Sequence, residues 1–302
     1  MATAARSDPA PDREWERELA AARLSVVSWP ARYGGRDATL AEWLVFEEEY
    51  YATGAPVRVG QNGLYLLAPT LFSHGTDDQR DRFLWSSRAA FADRAFGLFR
   101  TDASAERHRG LTYLLFDLRA PGVTVRPIRQ LGGHTGFAEI FLDEVFVPDS
   151  DVVGAAGDGW RIAMSTASHE RGLSLRSPGR FLAAAARLVE LWRRAGSPVA
   201  AADRVADAWI GARAYQLHTS ATAFRLAAGG SLGPEASLGK VFWSELDVAR
   251  HETALDLLGP HAEVSDGPWL ADYLFALAGP IYAGTNEIQR TLIAERVLGL
   301  PR

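Results

Sequence analysis

The chain of 302 residues has no cysteine and a single lysine, Lys240. Without cysteine there is no disulfide, no thiolate metal site and no cysteine nucleophile. Strong charge of one sign is also missing. The 32 Lys and Arg residues face 37 Asp and Glu, for a net charge of -5, so nothing suggests nucleic acid or an anionic membrane surface as a partner. Long apolar runs are absent because Arg, Asp or Glu interrupts every stretch that could span a bilayer. The opening MATAARSDPAPDREWERE lacks the apolar core of a signal peptide. The expectation is a soluble cytoplasmic protein with no nucleic-acid or membrane partner.

Metal and hydrolase chemistry find no support either. His74, His108, His134, His169, His218, His251 and His261 are scattered, without His-x-x-x-His or carboxylate spacing, so no metal site is expected. The glycine pairs at 34–35, 132–133 and 229–230 punctuate turns and follow no strand as a phosphate cradle would. No serine stands in a nucleophile elbow.

What is present is an ordinary globular composition, 47% hydrophobic and 23% charged. Residues 1–13 are rich in Ala, Pro and Asp and read as a flexible tail. Apolar positions recur at helical spacing from Trp15 to Val27, and WPARYGG (29–35) then breaks the helix. Helices follow at 38–53, within 62–74, and from a capped start at Thr76. Short runs rich in Phe, Leu, Val, Ile and Thr at 95–100, 111–117, 122–128 and 137–147 read as strands. Beyond Pro148 the helical period returns, with breaks near 196–198, 229–234, 259–268 and 279–286. This order predicts a mostly α, α+β protein: an N-terminal helical domain over 14–84, a short middle β domain over 85–150 and a C-terminal helical bundle over 151–302.

Several of these stretches together resemble the acyl-CoA dehydrogenase family. They are WPARYGG, GTDDQRDRFL (75–84), GDGWRIAM (157–164), HER (169–171) and the final IYAGTNEIQRTLIAERVLGLPR (281–302). LFRTD (98–102), PGVTVRPI (121–128) and EVFVP (144–148) match the second half of the family's β domain. The resemblance implies helical, β and four-helix-bundle domains in that order. It also implies FAD, an acyl thioester of CoA or of a carrier protein, α,β-dehydrogenation, and a homo- or hetero-oligomer assembled through the bundle.

That chemistry needs a carboxylate to remove the α-proton across from the flavin. Many relatives place a glutamate between the Tyr and Gly of the last turn, where this chain has Ala283. A minority carry it after the Gly-Trp motif, where Glu170 stands, so the resemblance implies Glu170 as base with Arg171 as its neighbour. The residues alone leave another reading open, Glu170 in a structural ion pair with Arg171 or Arg176. Trp85 and Ser87 correspond to a unit lying along the flavin ring, and Gly284, Thr285 and Glu287 to positions touching the dinucleotide. Read locally, Trp85 is a core aromatic and Thr285-Asn286 a helix N-cap.

Two departures stand out. At RFLWSSRAAFAD (82–93), Leu84 runs directly into Trp85, where relatives insert strands carrying a flavin-contacting loop. A β domain without those strands has an open edge and bares apolar surface, and a flavin would lose backbone donors to its ring. The bundle segments SPGRFLAAAARL (177–188) and LDLLGPHAEVSDGPW (255–269) also lack the Arg-x-x-Phe-Gly and Gly-Gly-x-Gly signatures of symmetric tetramers. In this the chain is similar to divergent subunits of heteromeric, actinobacterial-type enzymes of steroid side-chain degradation, in which two unlike chains form one site. Two flavin-free alternatives stay open: a non-catalytic partner subunit, and a redox-free acid/base enzyme of secondary metabolism.

Overall fold

The computed structural model describes residues 10–56, 58, 60–83, 93–133, 135–170, 177–264 and 267–301. These fall into two compact units. One holds the described residues up to Arg36 and from Arg58 to Glu170; the other holds those from Asp37 onward to residue 56 and those after Glu170.

The first unit begins with helix α1 (Ala10–Ala21). The apolar period predicts this helix through Val27, but it closes six residues earlier. Arg23 adopts φ +57° and the Leu24 amide turns back to the Leu19 carbonyl at 2.7 Å, which ends the ladder. Val26, Val27 and Trp29 are buried in the following segment. Trp29 and Tyr33 close on Phe72 at 5.3 and 5.5 Å between ring centroids. Gly35 is required there, because a Cβ would stand 2.0 Å from the Trp29 carbonyl oxygen.

A π-turn at Gly63–Leu67 leads into α3 (Ala68–His74), and α4 spans Asp77–Phe83. The capped start expected at Thr76 is present. The Gln79 amide donates to Thr76 Oγ1 at 3.2 Å, and the Thr76 amide donates to Gln79 Oε1 at 3.1 Å.

The strands form two small sheets. Strands β1 (Arg94–Arg100) and β2 (Leu111–Asp117) pair antiparallel, and β2 also pairs with β5 (Val152–Val153). Strands β3 (Val123–Ile128) and β4 (Phe137–Leu142) form a separate antiparallel ribbon. β2 is central and buries Tyr113, Leu115 and Phe116, while β1 pairs on one side only among the described strands. The ribbon region leaves Ile128, Leu131, Phe137, Phe141 and Phe146 exposed. An open edge and bare apolar surface are what the shortened β region leads one to expect.

Helix α5 (Gly159–Glu170) packs on β2. Gly159 permits the close approach, since a Cβ there would meet the Leu111 carbonyl at 2.6 Å. Farther along α5, Thr166 Oγ1 lies 2.8 Å from Thr70 Oγ1 and donates to the Tyr113 hydroxyl at 3.3 Å.

The second unit joins α2 (Leu40–Ala52) to α6 (Pro178–Arg194), α7 (Val199–Ala227), α8 (Ala236–Leu258), α9 (His261–Val264), α10 (Pro268–Ala276) and α11 (Asn286–Arg296). Thr39 and Glu42 form a reciprocal capping box at the start of α2. One apolar cluster gathers Phe181, Ala185, Ala212, Tyr215 and Trp243; another gathers Leu188, Val205, Ala208 and Ala254. Small residues bring the helices together: a Cβ on Gly179 would stand 2.4 Å from the Glu47 carbonyl. The helix breaks near 196–198, 229–234 and 279–285 fall where Gly and Pro predict them, while the break expected at 259–268 holds the short helix α9.

Candidate functional site

The C-terminal turn between α10 and α11 carries three of the expected site residues, Gly284, Thr285 and Glu287. Two consecutive residues there have positive φ, Ala283 at +57° and Gly284 at +81°. Such a bend in a non-glycine residue needs a surround that holds it. The Asn286 amide donates to the Pro280 carbonyl at 2.8 Å, and Gln289 Nε2 donates to the Ala283 carbonyl at 3.0 Å. Tyr282 stacks on Trp243 with ring centroids 5.9 Å apart.

Asn286 is the pivot. Its side-chain oxygen accepts from Lys240 Nζ at 2.7 Å and from Ser244 Oγ at 3.1 Å, both on α8. Asn286, Lys240 and Ser244 are all buried. The turn is therefore held by buried polar bonds that reach back more than forty residues along the chain.

On its outer side the turn is accessible. Gly284 and Glu287 are exposed and Thr285 is half-buried. Thr285 Oγ1 accepts from the Ile288 amide at 3.3 Å, so the expected N-cap is present. Hydrogen bonding to its own amide, then to Thr285, holds the Glu287 carboxyl below the usual carboxylate range. An ionised carboxylate in the first turn of α11 repels phosphate and accepts from hydroxyl or amino groups. The turn thus presents an ionised carboxylate at Glu287 beside the exposed Gly284 and the half-buried Thr285.

Ala283 is confirmed as a side chain without proton-accepting capacity at the bend. Glu170 is the last residue of α5 in the first unit, and its side chain lies outside the described residues, as do Arg171, Trp85 and Ser87. Next to Glu170, His169 is half-buried; burial, then His74, lowers its imidazole pKa, and its Nε2 has no partner among the described residues. His74 is lowered too, by burial and then by Arg161, whose Nη1 is 3.3 Å from His74 Nδ1. Arg161 in turn donates to Asp158 Oδ2 at 2.8 Å. Two neutral imidazoles thus accompany the end of α5.

Sequence reasoning missed Lys240, Ser244 and Gln289. The only hint was compositional, since a chain that uses arginine everywhere else keeps one lysine, and that lysine is 1% exposed.

The comparisons with known proteins agree with this architecture. The acyl-CoA dehydrogenase N-terminal domain matches residues 1–87, and the acyl-CoA dehydrogenase C-terminal domain matches residues 157–298. The chain belongs to the acyl-CoA dehydrogenase family. It is 36% identical to acyl-CoA dehydrogenase IpdE1 of Mycobacterium tuberculosis, across 96% of this chain and 88% of that protein. That alignment runs over 351 positions, more than the 302 residues available, so part of the relative has no counterpart here. Among solved structures, the Tcur3481-Tcur3483 steroid ACAD superposes with a TM-score of 0.84 at 21% identity, covering 96% of this chain and 89% of that one. The ChsE4-ChsE5 complex from Mycobacterium tuberculosis gives 0.81 at 22%, covering 96% and 90%. Both share the fold. No described helix is long and apolar enough to cross a membrane.

Proposed function

We propose that this protein is a subunit of an FAD-dependent acyl-CoA dehydrogenase that forms its active site together with an unlike chain and oxidises the Cα–Cβ bond of an acyl thioester. The observation that carries the reading is the match to IpdE1 across nearly the whole of both chains. The hetero-oligomer is supported by the fold shared with two-chain complexes and by the bare apolar β3–β4 ribbon, which a partner would cover.

In this reading Glu170 removes the α-proton, since Ala283 has no group to do so, and Arg171 is its neighbour. Gly284, Thr285 and Glu287 hold the dinucleotide, Glu287 by accepting from a hydroxyl or amino group. Trp85 and Ser87 flank the ring. When bound, FAD supplies the acceptor for the hydride that leaves the β-carbon.

The test is the visible spectrum of the protein, purified alone and co-expressed with the adjacent gene's product, together with its mass in solution. A flavin band that appears with the hetero-oligomer, and thioester oxidation lost at least a hundredfold in Glu170→Gln, is the expected result. A colourless hetero-oligomer sinks the dehydrogenase reading and leaves a flavin-free partner or acid/base role.

A further inference from the structure

Three arginines of the second unit gather round two aspartates, and two of the three line a cavity. Arg180 Nη2 donates to Asp247 Oδ2 at 2.9 Å, Arg250 is paired with the other oxygen of Asp247, and Arg187 Nη2 donates to Asp272 Oδ2 at 3.3 Å. His251 lies between the two carboxylates; burial, then the Arg250 charge, depresses its pKa to about 3, so it is neutral. Burial also raises the Asp272 carboxyl. Among the described residues three guanidinium groups thus share two aspartates, with Asp247 1% exposed and the Arg180 side chain 15%. Burial lowers the Arg250 pKa to about 10, whereas at Arg180 burial is outweighed by the Asp247 charge and others beside it, which raise the pKa. A cation enclosed in protein without a full counter-charge is costly.

Arg180 and Arg187 also have unused capacity. Among the described residues each side chain makes one hydrogen bond, to its aspartate, where a guanidinium offers five donors, and each also lies over an aromatic ring, Arg180 over Phe275 and Arg187 over Trp269. Both line a cavity of about 630 Å³ between α2, α6 and α7. Its walls are largely apolar, from Tyr51, Leu182, Ala183 and Trp209, with Arg213 at the exposed side. Three glutamates line it as well, but none is bonded to Arg180 or Arg187. Glu190 pairs with Arg194, Glu48 accepts from Gln216, and Glu49 is exposed. Buried Glu47, on the same helix, does not line the cavity.

We propose that this cavity binds a small organic carboxylate, its planar head on the open edges of Arg180 and Arg187 and its apolar body against Leu182, Ala183 and Trp209. A carboxylate matches the planar guanidinium fork and adds one negative charge beside three arginines and two aspartates. A phosphate dianion would leave oxygens against an apolar wall. The site stands apart from the thioester reading and needs no flavin.

The test is isothermal titration calorimetry of the full chain, or of its complex, with 4-phenylbutyrate, using the neutral 4-phenylbutanamide as control. The acid is expected to bind at least about tenfold tighter than the amide, which the charged head would account for. Arg180→Gln should abolish that preference, but it strips Asp247 of a partner and threatens folding. Ala186→Trp, at an exposed α6 position lining the cavity, keeps every charge and should weaken the acid about tenfold or more with an unchanged unfolding midpoint. Equal affinity for acid and amide, no heat with the acid, or undiminished binding in a folded Ala186→Trp protein overturns the proposal.

Discussion

Lys240 donates from Nζ to the side-chain oxygen of Asn286 across 2.7 Å, and both residues are at most 3% exposed. Asn286 opens α11, so this bond ties the start of the last helix to α8. Replacing Lys240 with methionine keeps the apolar stem and removes a charge-assisted bond, leaving Asn286 Oδ1 with Ser244 alone. Such a change costs about 2 kcal/mol. Urea unfolding of Lys240→Met should show that loss, and a change below about 0.5 kcal/mol would mean the lysine is not a clamp.

Gln79 performs a comparable task in the first unit. It is 2% exposed, and its Nε2 donates to the carbonyls of Ser150 and Val152 at 2.8 and 2.7 Å. Its Oε1 closes the capping box with Thr76. Gln79→Ala takes this donor from two part-buried carbonyls, of which Ser150 keeps Arg82 at 3.3 Å, and removes half of the cap, for an expected loss of about 2 kcal/mol. Thr76→Ala should cost only about 1 kcal/mol, because it touches the cap alone. Finding the two variants equally stable would show that the links to Ser150 and Val152 contribute nothing.

The contrast between these residues explains what could be read from the chain alone. Thr76 and Gln79 are three positions apart, so their box is visible in the sequence, as is the Thr39–Glu42 box. The strand alternation around β2 and the Gly/Pro breaks of the bundle are local signals of the same kind. The end of α1 was not legible, because its period continues to Val27 while Arg23 turns left-handed and its carbonyl accepts from Arg36, thirteen positions on. The Lys240–Asn286 and Arg180–Asp247 bonds span 46 and 67 positions. No periodicity marks such pairs; only the packing of α8 against α6 and α11 creates them. Of the site, the turn at 283–287 was legible because its cap and glycine are contiguous.

Acidity should destabilise the second unit through His251. Its folded pKa, about 3, lies below the unfolded value of 6.5, so the unfolded chain binds the extra proton first. The stability this histidine permits is fully present above pH 6.5 and is lost as pH falls from there toward 3, at about 1.4 kcal/mol per pH unit once well below 6.5. Asp272 has the opposite sign. Its raised folded pKa means the folded state takes up a proton first, which offsets part of the loss on the acid side. His251→Gln removes the titrating ring, so the difference in unfolding free energy between wild type and variant should shrink as pH drops from 7 to 5. A pH-independent difference would mean that His251 titrates alike in the folded and unfolded chain, and one that grows with acidity would mean that its folded pKa is raised instead of lowered.

Ala283 and Gly284 both have positive φ, yet they should respond oppositely to exchange. At Ala283, φ +57°, a Cβ in the left-handed region costs about 1 kcal/mol. Glycine would relieve that, but it also frees the unfolded chain by a similar amount. Ala283→Gly should therefore change stability by no more than about 0.5 kcal/mol. At Gly284, φ +81°, a Cβ would stand 2.4 Å from Gln289 Nε2, the group that donates to the Ala283 carbonyl at 3.0 Å. Gly284→Ala meets backbone strain and displaces that anchor together, so it should cost about 2 kcal/mol and speed amide exchange at Thr285 and Asn286. Thermal unfolding of the two variants side by side decides the matter. Equal losses at both positions would mean that Gln289 yields freely and the bend is not held by its amide.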